Sequence, residues 1–146
     1  MITSLKENEV FVFGSNLAGQ HIGGAAKQAH EEFGAEMGVG EGMTGQCYAF
    51  PTLGKNFEKL PLHMLMRSVR KLYNRCLDYP EYVFLLTPVG TGIAGYDVSE
   101  IAPLFKNHPR NIVMPEEFEE FNSTNTKIMI ELVLLAWLAD RKSENL

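Results

Sequence analysis

Apolar residues in this chain fall into short solid runs that alternate with longer stripes of helical spacing. Val10–Phe13 is a β-branched and aromatic run that predicts a buried strand ending at Gly14. After the glycine-rich stretch Ser15–Gly24, Ile22, Ala25, Ala26, Ala29 and Phe33 recur at helical spacing, and Gly34 is placed to close the helix. Met37–Gly45 carries four glycines and reads as a mobile loop. Cys47–Phe50 predicts a second strand stopped by Pro51. Pro61 opens a long helix whose apolar stripe runs from Leu62 through Leu65, Val69 and Leu72 to Leu77. Tyr82–Thr87 is almost wholly apolar, as a central parallel strand should be. A second glycine-bearing loop, Pro88–Tyr96, leads to a short helix over Ser99–Phe105 and a strand over Asn111–Met114. The acidic run Glu116–Glu120 then precedes a final helix over Asn125–Lys142. Strands alternating with helices predict an α/β fold of three layers, with a largely parallel or mixed sheet and helices on both faces.

Length and charge narrow this picture. A chain of 146 residues with 45% hydrophobic content suits one domain, with a core over about 9–115 and the last helix appended. The net charge of -5 argues against broad binding to nucleic acid or to an anionic membrane. Four basic residues on the long helix (Arg67, Arg70, Lys71 and Arg75) read as a solvated face. Cys47 and Cys76 fit neither a zinc pattern nor a disulfide framework and read as buried, reduced thiols. The first ten residues hold no apolar signal region, and Ile128–Ala139 is short and broken by Glu131, so a cytoplasmic protein without a membrane span is expected. No metal cluster is visible, and no cofactor is expected.

The candidate chemistry lies in the two loops that leave buried strands. Ligands of open α/β sheets bind at the carboxyl ends of the strands. Gly23–Gly24 opens a helix, where bare amides and the helix dipole favour an anion. Gly90, Gly92 and Gly95 permit close backbone approach and an anion-binding nest of amides. Two such cradles suit a diphosphate better than a single phosphate.

The residues of both loops resemble those of the macro-domain family. Gly14–Ser15–Asn16–Leu17 followed by Gly23–Gly24–Ala25–Ala26 is similar to that family's strand-end asparagine and glycine turn. Thr91–Gly92–Ile93–Ala94–Gly95–Tyr96 is similar to its second loop. The resemblance covers roughly residues 9 to 115 and is nearest to a compact branch found in bacteria and their phages. It implies binding of ADP-ribose or a close relative. Asn16 would then hydrogen-bond the distal ribose, while Gly23 and Gly24 line one side of the diphosphate. Gly90, Thr91, Gly92, Ile93, Ala94 and Gly95 would wrap the other side, with Tyr96 against the distal ribose. Apart from the resemblance, Asn16 reads first as a polar turn residue.

The departures from the family bear on catalysis. No aspartate for reading adenine precedes the first loop, and Ala25, Ala26 and Ala94 stand where family hydrolases carry a catalytic carboxylate. Asn16, His21 and Asp97 are the remaining catalytic candidates. His21 is an isolated loop histidine, expected to be solvated if it is not an acid or base. Asp97 has the spacing of a capping box with Glu100. His30, His63 and His108 read as structural. Three functions are compatible with these residues: hydrolysis of an ADP-ribose derivative such as the 1″-phosphate or an ADP-ribosyl ester, non-catalytic sensing of a nucleotide or nucleotide sugar, and an assembly role in which the loops are only turns. The last helix is apolar nearly all round over three turns. Either its own domain buries it deeply, or it forms the interface of a homodimer or higher homo-oligomer.

Overall fold

The structure is a computed structural model and describes residues 1–144. It is an α/β fold with a five-stranded mixed sheet and four α-helices among the described residues. The strands are β1 (Glu9–Asn16), β2 (Gly42–Thr44), β3 (Cys47–Leu53), β4 (Val83–Leu86) and β5 (Ile112–Val113). Their order in the sheet is β2-β3-β1-β4-β5, and only β2 runs antiparallel to its neighbour. The helices are α1 (Gly24–Phe33), α2 (Leu62–Asp78), α3 (Val98–Ile101) and α4 (Glu116–Glu144).

β1 is central, and its side chains alternate between two cores, as the period of a strand dictates. Phe11 and Phe13 pack with Ala26 and Ala29 of α1 and with Cys47 and Ala49. Val10 and Val12 join Phe84, Phe50 and Tyr48 in a larger cluster with Leu65, Val69 and Leu72 of α2, Ile101, and Phe118 of α4. Leu72 is fully buried there. Truncating such a leucine to alanine costs about 2–5 kcal/mol.

Several elements differ from the sequence expectation. β1 passes through Gly14 to Asn16, because its pairing with β3 continues to Leu53. β3 likewise passes Pro51, which lies beyond the last β2 pair, Gly42–Ala49. There β3 has lost its antiparallel neighbour, and proline is tolerated at such edge positions. The glycine-rich stretch Met37–Gly45 is not an open loop but contains β2, too short for its periodicity to show. It is held by close glycine contacts: a Cβ on Gly45 would lie 2.2 Å from the Gly34 carbonyl oxygen, and one on Gly19 would lie 2.4 Å from Gly38. The short helix divides into α3 and a 3-10 turn (Ala102–Phe105), with Pro103 near the start of that turn. In α2 the buried stripe is narrower than the apolar one, since Leu62, Met66 and Leu77 are exposed.

The largest difference is α4. It begins at Glu116 rather than near Asn125. Three glutamates in its first turn suit the helix dipole, and Phe118, fully buried, anchors it to the body. From Thr126 to Ser143 every residue is exposed. Deep burial of this helix by its own domain is therefore ruled out. Among the described residues, no helix is long and apolar enough to cross a membrane.

Candidate functional site

The parallel neighbours β1 and β4 deliver both glycine loops to the same edge of the sheet. Thr87 fixes the exit of β4, donating both its amide and its hydroxyl to the Val12 carbonyl, at 3.0 and 2.8 Å. The second loop lies against β1, where a Cβ on Gly14 would be in ordinary contact with Val89 Cα at 3.8 Å and the Gly90 nitrogen at 3.9 Å.

In the first loop, Asn16 folds back on the chain. Its Nδ2 donates to the Gln20 carbonyl at 2.9 Å, and its Oδ1 accepts from the Gln20 amide at 3.0 Å. An asparagine amide has two donors and two lone pairs, so one of each remains. The loop is also pinned to the glycine-rich segment beside it, where the Ser15 hydroxyl donates to the Gly40 carbonyl at 2.5 Å.

His21 is buried, not solvated, with 1% of its surface exposed. Its ring meets Phe13 edge-on at 5.1 Å between centroids, and Nε2 lies 2.9 Å from the Glu36 carbonyl. Burial lowers its pKa below the usual histidine value, partly offset by that carbonyl. Nδ1 is buried without a hydrogen-bond partner among the described residues. A histidine held neutral between a phenylalanine and a backbone oxygen anchors the loop.

Beyond His21 the backbone is open. Ile22 is 71% exposed, and a Cβ on Gly23 or Gly24 would meet nothing within 4 Å. Gly23 occupies the N-cap without a side-chain hydrogen bond, and the first intrahelical bond is that of Lys27 to the Gly23 carbonyl. The amides of Gly24 and Ala25 thus have no partner among the described residues.

The second loop is stiff at its ends and open at Gly92 and Ile93, while Ala94 is buried in the larger core cluster. Gly90 has φ +81°, and a Cβ there would press on the Ile101 side chain at 3.1 Å. The Tyr96 amide donates to the Gly90 carbonyl at 2.9 Å, and the Gly95 amide to the Gly92 carbonyl at 3.0 Å. The Thr91 hydroxyl donates back to the Pro88 carbonyl at 2.7 Å. Between these ties, the amides of Gly92, Ile93 and Ala94 bond to no other described residue. Ile93 is 87% exposed, and a Cβ on Gly92 would meet nothing within 4 Å.

Tyr96 is buried, and its hydroxyl donates to the Leu60 carbonyl. The resemblance placed this ring against a ribose; the structure spends its hydroxyl on tying the second loop to the segment before α2. Lys59 lies over the ring, its Nζ 3.9 Å from the centroid. Sequence reasoning passed over Lys59 and Leu60, since neither belongs to a motif or a periodic stripe. Asp97 caps α3 in a capping box with Glu100. His21 lies with Phe13 on the α1 side of the sheet, whereas Tyr96, next to Asp97, joins the opposite cluster. His21 and Asp97 are therefore not brought together. Both cysteines are buried, and burial pushes each thiol up to about 12. Among the described residues, no three His, Cys, Asp or Glu side chains are grouped to hold a metal ion. Compared with protein-family models, with curated proteins and with solved structures, the chain matches none.

Proposed function

We propose that this chain binds ADP-ribose or a related nucleoside diphosphate sugar across its two glycine loops, on a three-layer scaffold of the macro-domain type. The observation that carries the reading is the pair of unpaired amide sets, Gly24–Ala25 and Gly92–Ala94, on loops leaving adjacent parallel strands. Backbone amides fixed in advance bind phosphate oxygens without a side-chain cation. Two sets suit the two phosphates of a diphosphate. The exposed Ile22 and Ile93 beside them offer apolar surface to a ribose or base. A titration by calorimetry with ADP-ribose, ADP and AMP tests this. Saturable binding is expected, strongest for ADP-ribose and weakest for AMP; no heat with any of the three overturns it.

Binding without turnover is the reading that the candidate catalytic side chains favour. His21 is buried and neutral, Asp97 is engaged as a cap, and Asn16 has half its hydrogen-bonding capacity committed to Gln20. Hydrolysis would have to come from a water oriented by the loops and from amides that stabilise developing charge. Incubation with ADP-ribose 1″-phosphate separates the two: a sensor returns it intact, and release of inorganic phosphate shows a hydrolase.

A further inference from the structure

We propose that the outer part of α4, residues 126 to 142, packs antiparallel against the same helix of a second copy of this chain. Nine large apolar side chains between Ile128 and Leu138 are each 43–65% exposed. At roughly 200 Å2 for a large side chain, they present on the order of 900 Å2 of apolar surface. Ordinary monomers expose contiguous patches of only about 300–600 Å2. That surface runs all round the helix, so one helix pair covers about half of it, and the roughly 800 Å2 per partner of a standard interface is approached when both sides are covered.

The pattern of side chains selects the antiparallel arrangement. Ile128, Leu132, Leu135 and Ala139 follow at steps of 4, 3 and 4, a seam of coiled-coil spacing. Two such helices aligned antiparallel on the midpoint of the seam set Leu132 against the partner's Leu135, and Ile128 against the partner's Ala139. The two-fold axis repeats both layers. Charge agrees: in this register Lys127 lies level with the partner's Asp140, whereas an in-register parallel pair would set Lys127 beside Lys127, Asp140 beside Asp140 and the acidic feet side by side. The helix dipoles also oppose favourably in that orientation. On the opposite side of α4 from this seam lies a groove of about 550 Å3, lined by Met129, Ile130, Val133, Leu134 and Trp137. Because the apolar surface continues round to Leu138, a second antiparallel pair can cover the remaining row, which makes the dimer and the two-fold symmetric tetramer the closed forms.

Light scattering at micromolar concentration is the first measurement. A mass two or four times that of the 16.4 kDa chain is expected. A monomer overturns the proposal. The Leu132→Glu, Leu135→Glu variant should fall to half the mass or less with an unchanged far-ultraviolet spectrum, because these side chains are 57% and 63% exposed in their own domain; a folded variant of unaltered mass overturns the proposal. Cysteine cross-linking reads the direction. Ile128→Cys and Ala139→Cys should each remain uncross-linked alone, while the double variant should give a covalent dimer on oxidation. Cross-linking of either single variant means parallel packing and overturns the arrangement.

Discussion

Gly92 and Gly40 show how differently two loop glycines are used. A side chain at Gly92 has open space around it, while one at Gly40 would lie 2.5 Å from the Asn16 carbonyl oxygen. Gly92→Glu should therefore keep its unfolding temperature and lose ADP-ribose binding, because the carboxylate occupies and repels the phosphate position. Unchanged affinity in the folded variant removes Gly92 from the site. Asn16→Ala should weaken ADP-ribose more than ADP, by about 0.5–1.5 kcal/mol for one lost hydrogen bond. Since Asn16 also closes its own loop through Gln20, equal losses for both ligands would assign it to the loop alone. His21 makes a pH prediction. Its folded pKa is depressed, so the unfolded chain binds a proton that the folded chain does not. Stability is then greatest above the unfolded value of about 6.5 and falls as pH drops below it. His21→Gln should lower the unfolding temperature at pH 7.5 but flatten its decline toward pH 5, measured by thermal melts of both proteins. The burial of His21 was not legible in the sequence, where an isolated histidine among glycines looks solvated; Phe13 and the Glu36 carbonyl claim it only after the chain folds back.

Among the elements, those with a solid run or a long stripe were legible. β1, α1, α2 and β4 lie where their apolar patterns place them, within a few residues. β2 was not, because three residues of which one is glycine carry no period, and its partner strand decides it. The inner half of α4 was hidden because asparagine, serine and threonine, weak helix formers, separate its glutamates from the apolar stretch; the burial of Phe118 overrides them. The glycine segment before β2 is a supporting wall for the first loop. Gly40→Ala should cost about 1–3 kcal/mol, since backbone on both sides must shift. Urea unfolding checks this, with Gly92→Ala as the neutral comparison. An unaltered midpoint for Gly40→Ala would mean that the segment yields and supports nothing.

At the scale of the molecule, the outer α4 contributes nothing to the packing of its own domain. Phe118 is fully buried and Asn122 donates to the Ala102 carbonyl at 2.9 Å, so the helix is held by its foot alone. A chain ending at Thr126 should keep a cooperative thermal transition. The transition of the intact chain should move up with protein concentration as it associates, and that of the shortened chain should not. Concentration-independent melting of both would show that no association stabilises the intact protein. The alternation of strands and helices, and the two glycine loops that leave strands, were legible in the sequence; the separation of His21 from Asp97 was not, because it depends on which face of the sheet each loop leaves. The central place of β1 also sets an order of events during synthesis. Glu9 pairs with Val83 in the sheet, and at about 5–20 residues per second the ribosome takes roughly 4–15 s to span that interval. Phe11 and Phe13 can be covered earlier, by α1 and β3, but Val10 and Val12 wait for Phe84 and the helices that follow it. For those seconds the strand around which the whole sheet is organised is among the most exposed parts of the nascent chain.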